Sequence, residues 1–304
     1  MSGGSEGALR AVLYALAANG GIAVTKFGAA AFTGSGAMLA EAIHSLADCA
    51  NQVLLLLGMR RAKAAADDEH PMGYGRVVYF YAMLVATLLF FVGGLFSVAE
   101  GWHRLREPQP LTRPYVALAV LAVAIALESF SLWGAMREIN KVRRGRSLLR
   151  WFRETRQSEL MVIAGEDIAA LAGLMFAFVA VGLTLATGNP LWDAIGSVAV
   201  GLLLIVVAIA VTVEVKAMIT GESADAETRA AIRAHLLARP EVKSIIHLIT
   251  LQWGEQIMVA VQAEMQPQPG DRALVDAINR VEAALQAAFP QVTWVFFEPD
   301  VRDG

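Results

Sequence analysis

The segment AEAIHSLADCANQ, residues 40–52, places Glu41, His44, Asp48 and Asn51 inside one of the most apolar windows of the chain. On a helix His44, Asp48 and Asn51 fall along one stripe, with Glu41 about one turn before them. An imidazole nitrogen and a carboxylate oxygen one turn apart can chelate a single divalent ion, as paired helix ligands do in zinc sites. Two donors do not close a shell. A second apolar segment, AGEDIAAL, supplies Glu166 and Asp167 among Gly165, Ala169, Ala170 and Gly173, small residues that let helices approach closely. Packed side by side, the two segments would offer His44, Asp48 and Asp167 as a first set of metal donors, with Glu166 and Asn51 as further candidates. Such a set binds metal only when deprotonated, so metal entry and proton loss are chemically linked.

These donors need elements that tolerate burial. The chain of 304 residues is 56% hydrophobic and 17% charged, with a mean hydropathy of +0.52, against roughly 45–50% and about 25% in ordinary soluble domains. Six apolar runs, about 9–31, 37–59, 77–101, 114–136, 159–187 and 191–215, are each long enough to cross a hydrocarbon core of about 30 Å as a helix. The expected fold is therefore an all-α six-helix transmembrane bundle over residues 1–221. Residues 222–304 read as a small α+β domain in the order αββαβ: a helix near 225–238, the β-rich runs VKSIIHLITLQW and QIMVAVQAEM, a helix near 271–288, and the strand VTWVFFEP.

The connection between the fourth and fifth runs carries Arg137, Lys141, Arg143, Arg144, Arg146, Arg150, Arg153 and Arg156, whereas 32–36 and 188–190 carry no Lys or Arg. By the positive-inside rule that loop is cytoplasmic, and with six spans both termini are too. The first run is too long and too rich in Gly and Ala for a signal peptide, and MSGGSEGALR lacks the character of an organelle-targeting extension. A bacterial inner membrane is the expected address.

Several chemistries are excluded. The single Cys49 allows neither a disulfide within the chain nor a CxxC site. The net charge of −3 does not suit nucleic acid as a partner. There is no GxxxxGK[ST] loop, and no nucleophile and base accompany the acids, so an enzyme is not expected. No prosthetic group is implied; the ion would be cargo.

Ionisable groups within spans cost a few kcal/mol unless they face a cavity or each other. A lone mid-span Asp can be structural, and His44 could bond a backbone carbonyl. Lys26 and Glu41 read as a neutralising pair. Glu128 and Asp193 fit either pathway lining or capping.

The stretches GSGAMLAEAIHSLADCANQ, DDEHPMGYGR and EDIAAL together resemble the cation diffusion facilitators. That family carries a His/Asp-x-x-x-Asp pair in its second span and a His-Pro-x-Gly-x-x-Arg-like signature in the next loop. The resemblance covers nearly the whole chain. It implies export of Zn²⁺, or a similar first-row divalent cation, in exchange for protons by a homodimer whose ferredoxin-like cytoplasmic domains pair. One position departs: zinc exporters with a full tetrahedral site have a His four residues before the fifth-span Asp, and Ile163 stands there. Glu166-Asp167 is more similar to the subgroup that includes the mitochondrial zinc exporters. Glu166 or a water could complete the shell, and the oxygen-rich set leaves Mn²⁺, Fe²⁺ or Co²⁺ open. A channel and a non-transporting membrane metal sensor are the rival classes, although the tail offers only His235 and His247 for sensing. Trp253, Trp294, Phe296 and Phe297 in the tail imply burial within the domain or against a partner copy.

Overall fold

The computed structural model describes residues 3–143, 145–155 and 158–301. Long helices dominate: α1 (Gly3–Thr33), α2 (Gly36–Ala62), α3 (Val77–Leu88) running through a π-helical segment (Leu89–Leu95) into α4 (Phe96–Arg106), α5 (Pro114–Val142), the short α6 (Leu148–Glu154), α7 (Ser158–Thr187) and α8 (Leu191–Thr220). Among the described residues five stretches are long and apolar enough to cross a membrane: Gly36–Ala62, Val77–Arg106, Pro114–Arg137, Met161–Thr187 and Leu191–Thr220. The 31-residue α1 is outside those five. The run expected to stop near residue 101 continues to Arg106 because the charges at its end are satisfied locally. Arg104 pairs with Glu100 at 2.7 Å on the same face, and its guanidinium donates to the Gly34 carbonyl.

Chain contacts divide the protein into two compact units. The first comprises Met1–Gly58, Tyr81–Ser147 and Glu159–Val215. Its helices meet through small side chains. Ala29, Ala30, Ala37 and Met38 pack with Ala117, Leu121, Leu174 and Ala177, which joins α1, α2, α5 and α7. Ala40, Leu89, Ala169, Val200 and Leu204 join α2, the π segment, α7 and α8. At Gly94 an added Cβ would lie 2.6 Å from the Ile205 side chain, and at Gly201 2.6 Å from the Val98 backbone nitrogen. Neither position admits any side chain without separating the helices. Outward faces carry exposed apolar residues such as Val123, Phe130 and Val206, as a lipid-facing bundle requires.

Asp193, in the first turn of α8, resolves as a cap. Its carboxylate accepts the Ser35 hydroxyl at 2.5 Å and the Gly36 backbone N–H at 2.6 Å, which satisfies a free donor at the start of α2. The Ser35 oxygen in turn accepts from the Met38 N–H at 3.1 Å. Asp193 is thus the fixed joint between α8 and the helix that carries His44 and Asp48.

The second unit comprises Met59–Phe80, Leu148–Ser158 and the chain from Lys216. Its tail has α9 (Ala226–Leu237), β1 (Val242–Trp253), β2 (Gln256–Met265), α10 (Asp271–Ala288) and β3 (Val292–Pro299). The helix–strand–strand–helix–strand order agrees with the sequence pattern. The strands lie in the order β1-β2-β3. β1 and β2 are antiparallel across a tight turn at Gly254, whose φ of 64° suits glycine. β2 and β3 are parallel, and α10 makes the crossover that parallel pairing demands. Period-2 alternation puts Ile257, Val259, Val261 and Ala263 into a core with Ile232, Leu236, Val281 and Leu285 of the two helices. The opposite sheet face is apolar and open: Ile249, Ala260 and Phe296 are in register across it, with Ile249 and Phe296 exposed.

The loop after α2 is ordered by its own chemistry. The Tyr74 hydroxyl donates to Asp67 at 2.6 Å, which holds the Asp67 carboxyl below the usual range and pushes the Tyr74 phenol up. Arg76 donates to the Met218 and Ile219 carbonyls and stacks over Trp253 at 5.0 Å. The Tyr79 hydroxyl accepts from the Gly254 N–H at 3.0 Å.

The Asp193 cap generates a stability prediction. Asp193→Ala leaves the Gly36 N–H and the Ser35 hydroxyl without their acceptor, at a cost of about 1–3 kcal/mol. Thermal unfolding of the detergent-purified protein should show a midpoint several degrees lower, and an unchanged midpoint would refute this joint.

Candidate metal centre

Two polar stripes on α2 intersect at Asp48. One is the expected series Glu41, His44, Asp48 and Asn51; the other is Ser45, Asp48 and Gln52, rotated by one residue. The second stripe faces a cavity of about 50 Å³, room for a few water-sized bodies. α7 adds Glu166, Asp167 and Ala170 to the wall, α5 adds Glu128 and Ser131, and α1 adds Asn19 and Ile22. Four carboxylates from three helices therefore face one small space near the middle of the bundle. The Asp48 position is deep within α2, and Glu128 is the middle residue of α5.

The expected donors take up different positions. Asp48, Asp167 and Glu166 all line the cavity. Adjacent helix positions diverge by about 100°, yet Glu166 and Asp167 both line the space. His44 is fully buried and is not part of the wall. Its Nδ1 stands 3.4 Å from Asp48 Oδ1, and neither ring nitrogen has a hydrogen-bond partner among the described residues. Asn51 lies behind the wall as well, where its side-chain amide donates to Glu166 Oε1 at 2.5 Å. Its role in this geometry is to hold Glu166. Among the described residues no three His, Cys, Asp or Glu side chains converge closely enough to hold one ion. The carboxylates ring a space rather than meet at a point.

The rest of the polar inventory is settled. Lys26 Nζ is 3.3 Å from Glu41 Oε2 and donates to the Ser45 hydroxyl at 2.7 Å, so the expected neutralising pair is present. The other Glu41 oxygen occupies the space above Gly173: an added Cβ there would be 2.6 Å from it. Ser131 and Asp167 line the same cavity. Ile163, four residues before Asp167, is partly exposed, with 37% of its surface open.

Sequence reasoning singled out Glu128 without deciding its role, and did not single out Asn19, Ser45, Gln52 or Ser131. A signal was available for three of them. Ser45 and Gln52 share a helical face with Asp48, at spacings of three and four, and that face is polar over two turns. Glu128 and Ser131 share a face in the same way. Asn19 had no such companion.

An ion entering this cavity would meet oxygen donors first, with one imidazole in reserve behind Asp48. Residues 12–219 match the family described as the cation efflux transmembrane domain. The chain is 36% identical over 201 residues to the proton-coupled zinc antiporter SLC30A9, mitochondrial, of Homo sapiens, a stretch that is 66% of this chain and 35% of the human protein. It is 32% identical over 202 residues to metal tolerance protein C4 of Arabidopsis thaliana, covering 66% of this chain and 44% of that one. It is 27% identical over 287 residues to the cation-efflux pump FieF of Klebsiella pneumoniae, covering 92% of this chain and 89% of that protein. The chain thus spans about a third of the length of the human relative. The human and Klebsiella relatives are named as an antiporter and an efflux pump, and the family match runs from the first helix to the end of the last span: the chain is a multi-pass membrane protein of the cation efflux family.

Proposed function

We propose that this protein exports a divalent cation, Zn²⁺ first among them, from the cytoplasm in exchange for protons. The observation that carries the reading is the buried His44 imidazole, without a hydrogen bond among the described residues, set behind Asp48, which lines a cavity that Asp167 and Glu166 face from another helix. Buried polar atoms are normally paired, and a nitrogen left without a partner beside a carboxylate is the expected resting form of a metal donor. The binding set is His44, Asp48 and Asp167, with Glu166 as a further oxygen donor held in place by Asn51. An ion and protons compete for the same atoms, so a site opened alternately to each side couples their flows.

The relatives named as a proton-coupled zinc antiporter and a cation-efflux pump support this direction and exchange. α1 serves as a sixth span, both termini face the cytoplasm, and the membrane is a bacterial inner membrane. Residues 222–304 form a ferredoxin-like cytoplasmic domain through which two copies pair, and the open apolar strip of Ile249, Ala260 and Phe296 suits that contact. A second reading, transport of Mn²⁺, Fe²⁺ or Co²⁺, is favoured by the oxygen-rich wall and by Ile163 where a nitrogen donor would complete a tetrahedral set. A channel or a non-transporting sensor would lack flux driven by a pH gradient.

Three outcomes follow. Asp48→Ala and Asp167→Ala should each abolish Zn²⁺ uptake into proteoliposomes bearing a pH gradient while the protein remains monodisperse; near-normal flux in either folded variant refutes the site. Ile163→His should favour Zn²⁺ over Mn²⁺ by about tenfold or more in competitive uptake, because a nitrogen donor is added one turn from Asp167; an unchanged ratio means that position 163 faces away from the ion. Truncation after Gly221 should reduce the dimer fraction measured by light scattering and slow transport without changing the Zn²⁺/Mn²⁺ ratio, and a fully dimeric truncated protein would place the pairing surface in the spans.

A further inference from the structure

We infer that Glu128 of α5 is a cation-contacting residue of the transport cavity and sets its preference among divalent ions. The inference rests on the transport reading above and adds a third helix to the donors that α2 and α7 provide.

Glu128 shares the cavity wall with Asp48, Glu166 and Asp167. It stands at the middle of a long apolar span, where an acid costs a few kcal/mol unless it faces a cavity or a partner. Ser131, one turn on, lines the same space, so α5 presents a polar face there. Among the described residues no Lys or Arg lines this wall. The ammonium of Lys26 is engaged behind it by Glu41 and Ser45. Carboxylates gathered around a space without a fixed cation depend on mobile cations for neutrality.

An acidic cluster alone would not identify a ligand. The second observation concerns a base beside the acids: His44 is fully buried, both its ring nitrogens lack hydrogen bonds among the described residues, and Nδ1 stands 3.4 Å from Asp48 Oδ1. That arrangement points to a cation between α2 and the cavity, and Glu128 borders the same cavity from α5.

The consequence for selectivity follows from donor chemistry. Zn²⁺ is satisfied by four donors in a tetrahedron, with nitrogen favoured. Mn²⁺ prefers a larger shell of oxygens. A third carboxylate-bearing helix enlarges the oxygen shell, so Glu128 helps the larger, harder ion more than it helps zinc.

The test uses the full-length protein in proteoliposomes with Zn²⁺ and Mn²⁺ in competition, comparing Glu128→Gln and Glu128→Asp with the wild type and with Asp48→Ala and Asp167→Ala. Expected is a fall of about tenfold in Mn²⁺ uptake for Glu128→Gln, equivalent to about 1.4 kcal/mol, with Zn²⁺ uptake changed less than about threefold and Glu128→Asp intermediate. Wild-type ratios in both folded Glu128 variants, with Asp48→Ala and Asp167→Ala inactive, overturn this inference and leave the site intact. Normal transport by Asp48→Ala or Asp167→Ala overturns the site itself. A measurement on the unaltered protein covers variants that fail to fold: labelling of Glu128 by a hydrophobic carbodiimide, located by peptide mass spectrometry, should fall when Mn²⁺ is added. Labelling that Mn²⁺ leaves unchanged counts against the inference.

Discussion

The bundle is organised by the cost of charge in an apolar interior. Every ionised group placed there needs a fixed partner or access to mobile ions. Most of the groups have the first: Lys26 with Glu41, Asp193 with Ser35 and Gly36, and Arg104 with Glu100. Asp48, Glu128, Glu166 and Asp167 have the second, because they face one cavity. This division separates scaffold from site more cleanly than depth or residue type, since Glu41 and Asp48 differ by only two turns on one helix. The fixed pairs also orient the unfixed groups. Asp193 anchors the start of α2, Lys26 binds α1 to its middle, and Asn51 holds Glu166.

Close packing is what lets so few polar contacts position the helices. Without a hydrophobic driving force between spans, association depends on backbone proximity and on buried polar bonds. Gly94 and Gly201 bring the π segment and α8 into contact, and Gly173 leaves room for the Glu41 carboxylate between α2 and α7. The π segment puts an irregular turn at this junction, a local departure that often accompanies functional regions of helices.

Much of this was legible in the chain. Five of the six apolar runs coincide with helices long and apolar enough to cross a membrane, period-2 alternation located the strands, and Gly254 marked the hairpin turn. His44, Asp48 and Asp167 stood out because acids and an imidazole at helical spacing are costly in such runs. What was not legible was azimuth. A stripe assignment good to about one residue on a helix cannot decide whether 44 and 51 or 45 and 52 face the cavity, and packing against α1, α5 and α7 decides it. The role of Asp193 was open for the same reason: a cap supplied by a distant helix leaves no local signal. The extension of α4 to Arg106 and the short α6 were also missed, because charged residues end a hydropathy run without ending a helix.

The loop between α2 and α3 bears on modularity. A polar connection such as residues 60–76 reads as a tether that could be exchanged freely. In the protein Gly75 has no room for a Cβ, which would lie 2.6 Å from the Trp253 carbonyl oxygen, and Tyr79 and Arg76 bond Gly254 and the last turn of α8. The tail is therefore not a detachable cassette. A tail grafted from a relative would have to bring its own α2–α3 loop, because Gly75, Arg76 and Tyr79 contact Trp253 and Gly254 directly.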